Sequence, residues 1–95
     1  MVVTLHVRIS GRVQGVGYRD AMRSAALARG ICGWVRNCRD GSVEAVVQGE
    51  AAALETLLAW ARRGPPAARV AEVHASPAQG EHERSYSGFD WLPSA

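Results

Sequence analysis

Three glycines punctuate the stretch Gly11-Arg-Val-Gln-Gly-Val-Gly-Tyr-Arg19, which closes on an arginine. Glycine opens backbone conformations that side chains forbid. Successive amides of Gly11, Arg12, Val13, Gln14, Gly15, Val16, Gly17 and Tyr18 can therefore turn inward, and such a nest ahead of a helix binds anions. Arg19 would add a planar fork for two phosphate oxygens. The same residues also fit a plainer reading, a tight crossover with Arg12 and Arg19 as solvated charges. Three phosphate chemistries fail on the residues present. A dinucleotide fingerprint begun at Gly15 needs glycine or alanine where Asp20 stands. A Walker loop needs lysine followed by serine or threonine, and a thiol phosphatase needs a cysteine at the head of the loop, whereas the first cysteine is Cys32.

Few other residues are placed for chemistry. All 11 basic residues are arginine, so no side-chain Schiff base can form. His6, His74 and His82 are far apart and lack the two-histidine helical spacing of a metal site. They are expected to be surface or strand residues, with no metal requirement and no cofactor. Cys32 and Cys38 fall on one proposed strand, about 20 Å apart if extended, which is too far for a disulfide. Trp34, Trp60, Phe89 and Trp91 are expected in core packing rather than on a base-stacking surface.

The elements that must position the loop follow from periodicity. Val3, Leu5, Val7 and Ile9 alternate with polar residues, the mark of a half-buried strand. Asp20 to Arg29 reads as a helix with Met22, Ala25 and Ala26 on one face, stopped by Gly30. Ile31–Cys38 and Val43–Gln48 read as strands joined through the Asp40-Gly41 hairpin turn. Glu50 to Arg63 is the clearest helix, with Leu54, Leu57, Leu58 and Ala61 in a stripe ended by Gly64-Pro65-Pro66. Val70–Ala75 reads as a strand in which the opposite parity of Val70 and Val73 calls for a bulge or strand end. Ser76 to Ser85 reads as a surface loop, and Phe89 to Leu92 as a short last strand.

This order gives an α+β fold of the ferredoxin-like split βαβ type, βαββαβ with a candidate fifth strand, an antiparallel sheet carrying two helices on one face. Its 95 residues, 47% hydrophobic, suit one domain with a single core. The N-terminus lacks the features of a secretory signal and no apolar run reaches membrane-spanning length, so the expected compartment is the cytoplasm, with reduced thiols.

The loop Gly11 to Arg19 closely resembles the signature of acylphosphatases. A second stretch, Gly33-Trp34-Val35-Arg36-Asn37 with Asp40-Gly41, Val43 and Gln48-Gly49, is similar to the family's second motif at the expected distance. The resemblance spans nearly the whole chain. It implies Arg19 as the phosphate-binding catalytic residue, the loop amides as further phosphate ligands, and Asn37 as the residue that orients the attacking water. Taken alone, Asn37 reads as a turn residue of the hairpin. The implied reaction is hydrolysis of an acyl phosphate, a small-molecule substrate, to a carboxylate and phosphate, with phosphate and other oxyanions as competing ligands. Two departures stand out: Cys38 occupies a position where many relatives carry a hydroxyl residue, and Leu92-Pro-Ser-Ala95 replaces a frequent tyrosine end.

Two other classes compete. A phosphate-binding accessory domain of this type usually belongs to a larger chain with zinc-finger cysteines, which this sequence lacks. An RNA-binding module of this fold needs aromatic residues in its central strands and a clustered basic face. Here the arginines are dispersed and the formal charge is only +2. Neither nucleic acid nor membrane is an expected partner, and the chain is expected to be a monomer.

Overall fold

In the computed structural model, which describes residues 1–95, strands β1 (Val2–Arg12), β2 (Cys32–Asn37), β3 (Val43–Glu50), β4 (Arg69–Pro77) and β5 (Phe89–Trp91) form one sheet. Helices α1 (Tyr18–Ala28) and α2 (Ala51–Arg63) and a short 3₁₀ turn at Gly80–His82 complete the chain. The strand order is β4-β1-β3-β2-β5. The two βαβ halves thus meet where β1 pairs with β3, β4 forms one edge of the sheet, and β5 forms the other beside β2. No helix is long and apolar enough to cross a membrane.

The alternation read from the sequence decides which sheet face is covered. Val7 and Ile9 of β1, Val35 of β2, and Val43, Ala45 and Val47 of β3 are fully buried. They meet Met22 and Ala26 of α1 and Leu54, Leu57 and Ala61 of α2 in one core, with Leu58 partly buried beside it. The intervening residues face the other way. There Glu44 stands directly across from Arg8 on one side and Arg36 on the other. Burial alone would push the Glu44 carboxyl up, but hydrogen bonds from His6 and Arg36 and their charges hold it below its ordinary value.

Some boundaries and one strand direction differ from the sequence expectation. The four strands β1 to β4 are antiparallel as expected, but β5 lies parallel to β2, so the sheet is mixed. The polar segment before β5 crosses the open face, where Gln48 binds the Arg84 carbonyl and the Tyr86 amide, and this brings β5 back beside β2 in the same direction. Leu92 and Ala95 continue the pairing by donating to the carbonyls of Val35 and Asn37. Strand β4 extends to Pro77, so Ser76 and Pro77 belong to it rather than to the loop. The parity conflict in β4 is a bulge: Ser10 pairs with Glu72 and Gly11 with Val70, leaving Ala71 extra. Gly11 tolerates this bulge because its φ of 117° is accessible to glycine, and any Cβ there would lie 2.3 Å from the Arg69 carbonyl oxygen.

Candidate active site

Helix α1 begins two residues earlier than its alanine-rich run suggests, on Gly17 in the left-handed conformation at φ 79°. No side chain binds its first amides. From Gln14 to Asp20, no backbone amide donates to any protein acceptor. The same stretch borders a cleft of about 370 Å³ lined by Val13, Gly15, Gly17, Tyr18, Arg19, Asp20, Asn37 and Trp91. Free amides, the positive end of a helix dipole and an arginine on one cleft are the groups an oxyanion site requires. The Arg19 guanidinium makes no hydrogen bond or ion pair within the protein.

The conformation of the loop accounts for its glycines. Gly15 has φ 73° and Gly17 φ 79°, and a Cβ on either would meet nothing within 4 Å. Backbone geometry, not space in the protein, therefore selects glycine at both. Tyr18 lends the cleft its first helical turn while its side chain points away. Its hydroxyl donates to the Ala61 carbonyl at 2.7 Å and its ring packs on Trp60, tying the start of α1 to the end of α2. Burial raises the Tyr18 phenol well above its ordinary value.

Asn37 ends β2 on the helix-facing side and enters the same cleft. Its Oδ1 is the one buried side-chain nitrogen or oxygen in the protein without a hydrogen-bond partner. Buried polar atoms are nearly always paired, and this unpaired acceptor belongs to a residue that shares the cleft with Arg19. The hairpin that carries it is fixed locally. Asp40 accepts from the Ser42 amide and hydroxyl at 2.9 and 2.6 Å, and these bonds, led by that from the hydroxyl, lower the Asp40 pKa. The Cys38 thiol turns to the open face, 3.9 Å from Glu44, and leaves Asn37 alone. Its backbone supplies the contact that matters, since the Cys38 carbonyl accepts from Gln14.

The loop residues divide by task. Val13, Gly15, Gly17, Tyr18 and Arg19 line the cleft, whereas Gly11 and Arg12 belong to β1 and lie outside it. Gln14 faces the β2–β3 hairpin, and Val16 packs on the core. Trp91 departs from its expected place in the core: 53% exposed, it forms a wall of the cleft. Phe89, two residues earlier on the same face, is fully buried in the core, whereas Trp91, further along the edge strand β5, borders the cleft. Arg23 of α1 holds that edge, donating to the Phe89 carbonyl at 2.7 Å with its guanidinium 5.5 Å from the Trp91 ring.

Known proteins match this chain in sequence and in shape. The chain matches the acylphosphatase family over residues 5–91. An acylphosphatase of Thiobacillus denitrificans is 55% identical over 87 residues, covering 92% of this chain and 93% of its own. The structure of an acylphosphatase from Coxiella burnetii superimposes with a TM-score of 0.88 at 36% identity, covering 96% of this chain and 93% of that one. Acylphosphatase from Bacillus subtilis gives 0.86 at 28% identity, covering 97% and 99%. A match across the cleft, both βαβ halves and the whole sheet places this chain in the acylphosphatase family.

Proposed function

We propose that the protein hydrolyses acyl phosphates, attacking phosphorus with water and releasing a carboxylate and inorganic phosphate. One observation carries the reading: Asn37, whose buried Oδ1 has no partner, lines the same cleft as Arg19, whose guanidinium is unpaired, and the loop whose amides have no protein acceptor. Arg19 and the amides between Gln14 and Asp20 take the phosphoryl oxygens. The transition state of phosphoryl transfer spreads charge over those oxygens, so fixed donors aimed at them lower the barrier.

Asn37 receives a hydrogen of the attacking water on its amide oxygen and sets the line of attack. An amide is too weak a base to remove the proton, which passes to a phosphate oxygen. The leaving carboxylate has a conjugate acid of pKa ~4 and departs without protonation. The mechanism therefore requires no general acid, and none of its steps assigns a role to a metal. All the residues used come from one copy of the chain.

The deciding measurement is phosphate release from acetyl phosphate by the wild type and by Arg19→Ala. Turnover by the wild type and its loss in the variant support the assignment. A wild type that binds phosphate but does not turn over would make the cleft a binding site instead.

A further inference from the structure

The open face of the sheet brings together side chains that the sequence keeps far apart. His6 projects from β1, Glu44 from β3 and His82 from the 3₁₀ turn, and one ligand atom from each lies within 4.8 Å of the others. His6 Nε2 already contacts Glu44 Oε2. The two imidazoles are parallel, with centroids 5.3 Å apart, and the Trp34 ring meets His82 edge-on at 5.5 Å. Glu44 is nearly buried, with 8% of its side chain exposed, while His6 keeps 28%. The group is thus anchored below and open to solvent above.

We propose that His6, Glu44 and His82 form a binding site for a divalent transition metal of the zinc class, distinct from the phosphate cleft. A tetrahedral ion with bonds of about 2.0–2.1 Å needs its donors about 3.3 Å apart. His6 and Glu44 separate by less than about 1 Å to reach this, His82 turns out of its stack on His6 to bring its in-plane lone pair to the same ion, and the metal replaces the proton between His6 and Glu44. The other carboxylate oxygen stays fixed, because Arg36 Nε donates to Oε1 at 2.7 Å and leaves Oε2 for the ion. Arg8 approaches Oε2 at 3.8 Å, yet it also pairs with Asp40 at 3.6 Å, which shares its charge. Two imidazoles and one carboxylate suit zinc, nickel or copper rather than magnesium or calcium, with water as the fourth ligand. The two guanidiniums oppose the incoming charge, so the affinity is lower than that of a buried structural site. Binding ties the turn at Gly80–His82 to the centre of the sheet.

The test uses tag-free protein stripped with a chelator and titrated with zinc chloride by calorimetry. Cobalt chloride then supplies a visible ligand-field spectrum and broadens nearby amide resonances. One saturable equivalent is expected, weakened at least ~10-fold in His6→Gln and again in His82→Gln. His74→Gln and the double variant Cys32→Ser, Cys38→Ser should bind as the wild type does. In the wild type itself, cobalt should broaden resonances around His6, Glu44 and the 80–82 turn. That readout needs no variant to fold. The proposal is overturned by any of three results: no binding up to about 1 mM metal, unchanged binding in both histidine variants, or loss of binding on removing the thiols.

Discussion

Gln14 Nε2 donates to the Cys38 carbonyl at 2.7 Å, and the same nitrogen reaches the Ser42 carbonyl at 2.9 Å. One side chain thus clips the phosphate loop to the hairpin that presents Asn37. In Gln14→Leu both bonds go, but each carbonyl keeps a backbone donor, Gly41 for Cys38 and Cys38 for Ser42, so the stability loss is about 1–2 kcal/mol. The kinetic loss should be the more telling. With loop and hairpin free to shift, kcat on acetyl phosphate is expected to drop ~10–100-fold while inhibition by inorganic phosphate weakens little. Equal losses in both would mean that Gln14 acts on the loop alone.

Asn37→Ala should separate binding from turnover even more sharply. Removing the amide leaves Arg19 and the loop donors intact, so the inhibition constant for phosphate should stay within about threefold. Loss of the water-directing group should cut kcat by ~10² or more. A variant with near wild-type turnover would remove Asn37 from the mechanism.

Gly15→Ala tests whether the loop works through its conformation. A Cβ at Gly15 meets no neighbour within 4 Å, but φ 73° is left-handed. Alanine there is strained by about 1–2 kcal/mol. The expected result is weaker phosphate binding as the amides turn away, with Gly15→Asn less affected than Gly15→Val. Phosphate titration of the three variants ranks them.

Trp91→Ala and Phe89→Ala should behave oppositely although the residues share one short strand. Phe89 is 1% exposed, so its truncation should cost about 3–5 kcal/mol by thermal or denaturant unfolding. Trp91 is half exposed on the cleft wall, and its loss should cost ~1 kcal/mol or less. Its effect should appear instead as a higher KM, larger for an aromatic acyl phosphate than for acetyl phosphate, because the ring offers a stacking surface beside the phosphate site.

Tyr18 links stability to alkaline pH. Its phenol pKa is raised in the folded protein above the ordinary 10.0 by burial. A group raised on folding contributes stability that is fully present below its unfolded pKa and is lost as pH rises toward its folded value. Wild-type stability should therefore fall above pH ~10. Tyr18→Phe should lose about 1 kcal/mol at neutral pH with the bond to Ala61, yet show a flatter alkaline limb in denaturant unfolding followed against pH.

The loop and both helices were legible because their signals are local: glycine spacing before an alanine-rich run, and the stripe Leu54, Leu57, Ala61. The bulge in β4 was legible as a parity conflict between Val70 and Val73. Other features depend on register across the sheet. Trp91 has the same parity as Phe89, and only the position of β5 at the sheet edge puts one in the core and the other on the cleft. The direction of β5 is set by the path of the polar segment before it, which carries no periodic pattern. His6 and Glu44 share the open face by alternation alone, but His82 joins them from an irregular turn. Gln14 is an unremarkable loop residue until the hairpin folds beneath it.

Helix α1 starts on a glycine with no side chain to satisfy its leading amides. In most helices the chain supplies that cap itself, and losing it costs about 1 kcal/mol. If the cleft binds phosphate as proposed, an oxyanion from solution takes that place. Any anion that fits therefore becomes part of the folded state's free energy and stabilises it by mass action. On the proposed function, phosphate concentration would tune how firmly the first turn of α1 is held, and the product of each turnover would briefly complete the helix before leaving.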